Sequence, residues 1–218
     1  MNNICLRWLS FALGLALGLV PHTVPAAEAG VSDKEIVLGQ SLGLTGPLAE
    51  LASDITHAAK AYFDMVNAQG GVHGRRLRSV VLDDGYQPAN TLRAVRQLVE
   101  DEQVFALYSM TGTANVAGVL PMLAAEKPPV PVFAPFTGAE SLRDPFNKLV
   151  FHIRASYFDE TELIVKQLTQ LDLKKIAVFH QNDAYGQAGM KGVQRALEKR
   201  GLQPVAVATV ERNSVDVA

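Results

Sequence analysis

The run Tyr108-Ser109-Met110-Thr111-Gly112-Thr113-Ala114-Asn115 gathers hydroxyls and small residues into one turn. A short apolar run, Val104 to Leu107, precedes it, and a helical pattern, Val116 to Glu126, follows. The turn therefore joins the carboxyl end of a strand to the start of a helix. The first turn of a helix carries unpaired N–H groups and a partial positive charge, and small residues let an anion come close. The chemistry expected here is recognition of a ligand carboxylate. Two other strand ends have the same composition: Ser41-Leu42-Gly43-Leu44-Thr45-Gly46-Pro47 and Ala134-Pro135-Phe136-Thr137-Gly138-Ala139-Glu140. Taken alone, each is ordinary turn and N-cap chemistry. At one rim of one sheet they point together to a small-molecule site, because open parallel sheets bind ligands beyond the carboxyl ends of their strands.

Catalytic chemistry finds little support. Of five histidines, His57 falls on a helix, His73 in a turn, and His152 and His180 on strands, while His22 belongs to the amino-terminal leader. No pair has metal-ligand spacing, and neither HExxH nor G-x-S-x-G occurs. A lone strand histidine reads as a satisfied core or rim residue. Asp83-Asp84 ends a strand, where adjacent carboxylates cap turns more often than they transfer protons. Gly39, Gly43 and Gly46 fit neither a dinucleotide fingerprint nor a Walker A loop. The reading is of no catalytic residue, no cofactor and no metal.

The elements that must position these loops alternate along the chain. Strands are expected at Ile36 to Gly39, Leu77 to Leu82, Val104 to Tyr108, Val130 to Ala134 and Leu149 to Ile153. Between them, helices run from about Ala49 to Ala68, with a stripe of Ile55, Ala59, Tyr62 and Val66, and from Pro88, with Leu92, Val95, Leu98 and Val99 inward. A third helix buries Val116, Val119 or Leu120, and Leu123, and Pro121 within it predicts a kink or a 3₁₀ turn. A further cycle has helix 160–171, strand 175–180, helix 184–200 and strand 204–210. This order predicts an α/β protein with a mostly parallel sheet covered on both faces.

Residues 1–29 read as a secretory signal: Arg7, the apolar run Leu9 to Val20, and Ala27-Glu28-Ala29 as cleavage site. The lone Cys5 lies ahead of the apolar run, so the mature chain is expected to have no cysteine, hence no disulfide and no cysteine-ligated metal. Removal takes one charge of each sign and leaves the formal net charge at −2. With no basic stripe and no aromatic platform, nucleic-acid binding is excluded.

The runs IVLGQSLGLTGPLAE (36–50), NAQGGVHGRRL (67–77), VLDDGYQPANT (81–91) and HQNDAYGQAG (180–189), in this order, resemble the substrate-binding proteins of branched-chain amino-acid ABC importers. These are type I periplasmic binding proteins of the leucine/isoleucine/valine kind. The resemblance implies two Rossmann-like lobes, here a lobe at 30–153 and the beginning of a second at 154–218, closing on an amino acid or similar small carboxylate. It also implies a periplasmic location and an inner-membrane permease as partner. Ser109, Met110 and Thr111 would bind the ligand carboxylate, with Thr111 supplying the key hydroxyl. Phe136, Thr137 and Gly138 would contribute backbone groups, and Tyr185 an aromatic ring from the second lobe. The chain departs from the pattern at Leu51, where the family often has an aromatic residue. It is also expected to be truncated, so that the acidic residue receiving a ligand ammonium would fall beyond Ala218. The alternatives are a sensory or regulatory ligand module of the same fold, a truncated product with impaired binding, and an α/β hydrolase working through Asp83 or His180.

Overall fold

The computed structural model describes residues 28–216, so the leader from Met1 to Ala27, including Cys5 and the apolar run, lies outside the described residues. Strand β1 (Glu35–Leu42) lies parallel to β2 (Arg76–Asp83), in register from Glu35 opposite Arg76 to Leu42 opposite Asp83. On its other side follow β3 (Ala106–Tyr108), β4 (Val132–Phe133) and β5 (Val150–Phe151), all parallel, in the order β2-β1-β3-β4-β5. The winding direction reverses between β1 and β3. That switch point opens a crevice at the carboxyl ends of the strands. Strands β3 and β4 are shorter than their apolar runs because the leading residues bond elsewhere. The Val104 and Val130 N–H groups donate to the carbonyls of Leu98 and Leu123 at 3.1 Å, anchoring each strand to the helix before it.

Helix α1 (Ala49–Ala68) has the expected bounds but a different inward face. Tyr62 is 60% exposed, and Phe63 turns inward to meet Tyr108 edge-on with ring centroids 5.4 Å apart. A stripe starting at the buried Ala52 reaches 63 rather than 62 at 3.6 residues per turn, which accounts for the shift. Helix α2 (Pro88–Glu100) opens with proline in its first turn and buries Thr91, Ala94, Val95, Leu98 and Val99; Leu92 is at the exposed edge. Helix α3 (Thr113–Ala125) runs unbroken through Pro121. Ala117, whose carbonyl the missing N–H would have met, is exposed, so water can satisfy that group.

The main core joins Val37, Leu98, Leu107, Met110, Val116, Leu123 and Val132 under α2 and α3. Each large side chain fully buried there contributes about 1.5–3 kcal/mol over its exposed state. After β5 the chain enters α4 (Tyr157–Gln170), then β6 (Ala177–Gln181), α5 (Ala184–Glu198) and β7 (Ala206–Val210). Strands β6 and β7 form a separate parallel pair. Their core is small: Val165, Ala196 and Leu197, with Ile176, Val193 and Leu202 packed against them. Ser156 starts α4 with a reciprocal capping box, its hydroxyl accepting from the Asp159 N–H at 3.1 Å. Asp183 caps α5, accepting from the N–H groups of Tyr185 and Gly186.

Candidate functional site

The loops at the carboxyl rim are held in place by buried polar contacts. Asp84, 1% exposed, accepts from the Ser41 hydroxyl at 2.7 Å, the Thr91 hydroxyl at 2.8 Å and the Tyr86 N–H at 2.8 Å. Asp83 accepts from the Thr45 hydroxyl and N–H and from the Gly85 N–H. Burial alone would raise the Asp83 carboxyl, but these donors outweigh it and hold the group below the usual carboxylate range. Both aspartates thus organise the turn after β2, and Ser41 is used in that scaffold. Strands β2, β3 and β4 of the five-stranded sheet each end near a non-glycine residue in the left-handed region: Tyr86 (φ 58°), Ser109 (φ 47°) and Ala134 (φ 50°). Such residues are uncommon and concentrate where a loop is constrained for a task.

Beyond β3 and β4 the two loops continue side by side. Thr111 pairs with Phe136 as an isolated parallel bridge, and the Phe136 N–H donates to the Met110 carbonyl at 2.7 Å. This brings the Thr111 side chain and the Phe136 ring to one wall of a cavity of about 590 Å³. Leu48, Leu51, Tyr86 and Gly112 complete that wall. The facing wall comes from α4, α5 and β6, and includes Tyr157, Ile164, Gln181, Tyr185, Met190 and Val193. The cavity is mostly apolar and aromatic with a few polar groups, the composition of a site for a small organic ligand.

Two polar features stand out. The Thr111 hydroxyl is buried with no hydrogen-bond partner, in a residue only 8% exposed. Next to it α3 begins at Gly112 with no side-chain cap, leaving its first N–H groups without that partner. Gly112 is required here. Its φ is +99°, and a Cβ would lie 2.6 Å from Asn115 Oδ1 and 2.7 Å from the Tyr86 ring. Farther along the cavity, Arg154 lies 5.1 Å from the Phe136 ring centroid and 5.5 Å from that of Tyr157, and is ion-paired with Glu160. Tyr157 and Tyr185 meet edge-on at 5.6 Å. Burial raises the Tyr86 phenol, against the opposing pull of the Gln181 hydrogen bond and the Arg212 charge, and burial likewise raises Tyr185. Both phenols stay neutral and able to donate at neutral pH.

Of the seven residues singled out from the sequence, Thr111, Phe136 and Tyr185 line the cavity. The other four support them. Ser109 forms the left-handed bend, and Met110 is fully buried in the main core. Thr137 is buried and shares a 2.7 Å hydrogen bond with the Thr113 hydroxyl. Gly138 accepts the Tyr157 N–H at 2.7 Å, and a Cβ there would lie 2.7 Å from the Tyr157 ring. Leu51 lines the cavity as the sequence position suggests. Sequence reasoning passed over Tyr86, Arg154, Tyr157, Glu160 and Gln181. Tyr86 could have been found by applying the strand-end rule to Asp83-Asp84-Gly85-Tyr86. His180 also lines the cavity, with Nδ1 bonded to the Gln181 carbonyl at 2.9 Å. Among the described residues, no group of three or more His, Cys, Asp or Glu is placed to hold a metal ion.

Residues 35–218 match the family model described as periplasmic binding protein. The chain is 26% identical over 213 residues to Leu/Ile/Val-binding protein homolog 7 of Brucella abortus, covering 92% of this chain and 52% of that relative. It is similar in structure to a substrate-binding periplasmic protein from Ralstonia solanacearum, with TM-score 0.79 and 34% identity, covering 84% of this chain and 52% of the other. A possible leucine/isoleucine/valine-binding protein from Rhodopirellula baltica superposes with TM-score 0.79 at 31% identity, covering 89% and 52%. The chain spans about half the length of the curated relatives it matches. Strand order, rim loops and family match agree: the chain belongs to the periplasmic binding protein family and has the α/β fold of its type I members.

Proposed function

We propose that this chain serves as the extracytoplasmic solute-binding component of an ABC importer, and that its cavity holds an amino acid or a similar small carboxylate. Residues 30–153 and 154–218 act as parts of two lobes, with the ligand between them. The observation that carries this reading is the buried, partnerless Thr111 hydroxyl beside the uncapped start of α3, on the wall of an aromatic cavity. A carboxylate placed there accepts from the hydroxyl and from helix N–H groups. The ligand's apolar part packs against Phe136, Tyr185 and Leu51. Ligand is bound and released unchanged, so no residue is assigned a catalytic role. Export to the periplasm follows from the amino-terminal signal, and a membrane permease is the partner that receives the loaded protein.

Titration calorimetry with L-leucine, L-isoleucine and L-valine tests the reading. Thr111→Ala is expected to weaken the binding by about 1.5–3 kcal/mol, the range for a hydrogen bond to a charged group. Unchanged affinity in this variant would remove Thr111 from the site. Absence of heat with these and other small carboxylates would overturn the ligand class.

A further inference from the structure

The segment after β7 reaches back to the five-stranded sheet, and Arg212 makes most of the contact. Its side chain is 12% exposed. Nη1 donates to the Tyr86 carbonyl at 3.0 Å and to Asn115 Oδ1 at 2.8 Å, and Nη2 pairs with Asp183. The guanidinium lies over the Tyr86 ring, 4.3 Å from its centroid. The next residue, Asn213, donates to the Gly85 carbonyl at 3.1 Å. One side chain therefore joins the turn after β2, the first turn of α3 and the cap of α5.

Each of these partners is also held locally. Asp183 Oδ1 takes the Tyr185 and Gly186 N–H groups, leaving Oδ2 to Gln181 and Arg212. Asn115 Nδ2 donates to the Thr91 hydroxyl at 2.7 Å, and the Tyr86 N–H is held by Asp84. Removing the guanidinium takes away the charged link between these elements, leaves the Asn213–Gly85 hydrogen bond and the 3.5 Å Gln181–Tyr86 contact to bridge them, and leaves each element its own hydrogen bonds. The linked elements carry the two walls of the cavity: Tyr86 is on one, and α5 brings Tyr185 to the other.

We infer that Arg212 is a positioning residue that sets these two walls against each other, acting through Tyr86 and Asp183 without touching the ligand. The inference rests on the reading of the cavity as the ligand site. Arginine suits the role because its planar fork reaches several spread acceptors while its face stacks on an aromatic ring; a lysine ammonium concentrates its three donors at one point and has no planar face to stack.

The test is a pulsed electron-spin distance measurement without ligand, using nitroxides on Ala61→Cys in α1 and Lys191→Cys in α5 in the full chain carrying Cys5→Ser. The parent is expected to give one narrow distance distribution. Arg212→Gln and Arg212→Lys are each expected to broaden and displace it, with far-ultraviolet circular dichroism unchanged. If the parent binds L-leucine, both variants should bind it at least tenfold more weakly. An unchanged distribution in both variants overturns the inference. So does loss of the folded dichroism signal in either, because local hydrogen bonds should then have preserved each element. If the parent binds no L-leucine, the functional reading suffers while the distances still decide the role of Arg212.

Discussion

At the scale of single residues, the rim aspartates organise their loops by accepting from several donors at once. Asp84 shows the consequence most directly. Its three donors come from β1, α2 and the turn after β2, so removing the carboxylate strands the Ser41 hydroxyl and the Tyr86 N–H in the interior, while the Thr91 hydroxyl keeps the Gln87 carbonyl. Asp84→Ala is expected to cost about 3 kcal/mol or more in urea denaturation, since each buried unsatisfied group costs about 1–3 kcal/mol. Asp83 gives a pH signature. Its carboxyl is held below its ordinary range in the folded protein, so its stabilising contribution is complete above that range. The contribution fades as pH falls through the lowered folded value, because the unfolded state then binds its proton more readily. Asp83→Asn should therefore lower stability at neutral pH and flatten its decline in acid, as read from denaturation midpoints measured across the acid range. A decline as steep as the parent's would detach Asp83 from the effect.

At the scale of elements, the site depends on how tightly loops approach helix starts. Gly112 occupies backbone open almost only to glycine, under the Tyr86 ring and against the Asn115 side chain. Gly112→Ala is expected to destabilise by about 2–4 kcal/mol through strain and displaced neighbours. By contrast, Ser156→Ala removes one half of a capping box and should cost about 1 kcal/mol. Comparing the two midpoints by chemical denaturation checks the order. Much of this architecture was legible beforehand, because a 3.6-residue stripe and a strand-to-helix turn are local patterns. The bounds of α1 and the parallel sheet came from such patterns, whereas the roles of Thr111, Phe136 and Tyr185 came from the family resemblance and the strand order from the structure. What periodicity could not decide was fine rotation, such as Phe63 rather than Tyr62 facing inward. It also could not separate side chains that line the cavity from those that brace it, because Met110 and Thr137 sit in the same loops as Thr111 and Phe136. Arg212 was out of reach altogether: its contacts with Asn115 and Tyr86 span 97 and 126 residues of sequence.

Across the whole molecule, stability is unevenly shared. The five-stranded sheet rests on a continuous core, whereas β6, β7, α4 and α5 share a small cluster around Val165, Ala196 and Leu197. Several large apolar side chains of this second region are exposed, among them Leu163 at 54%, Phe179 at 60% and Val207 at 49%. Local opening follows buried apolar contact, so the amides of β6 and β7 should exchange hydrogen faster than those of β1 and β3. A ligand that touches both walls of the cavity binds only when the two regions are assembled, and thus stabilises the weaker region against opening. At a free ligand concentration of 100 times Kd the gain is about 2.7 kcal/mol. Hydrogen exchange read by mass spectrometry should then show added protection concentrated in α4, α5 and β6, with little change in β1 and β3, whose opening is already rare. Equal added protection throughout would point to a molecule that opens as a single unit. Protection confined to the rim loops of the five-stranded sheet would mean that the ligand rests on one wall alone, and the two-walled site would have to be given up.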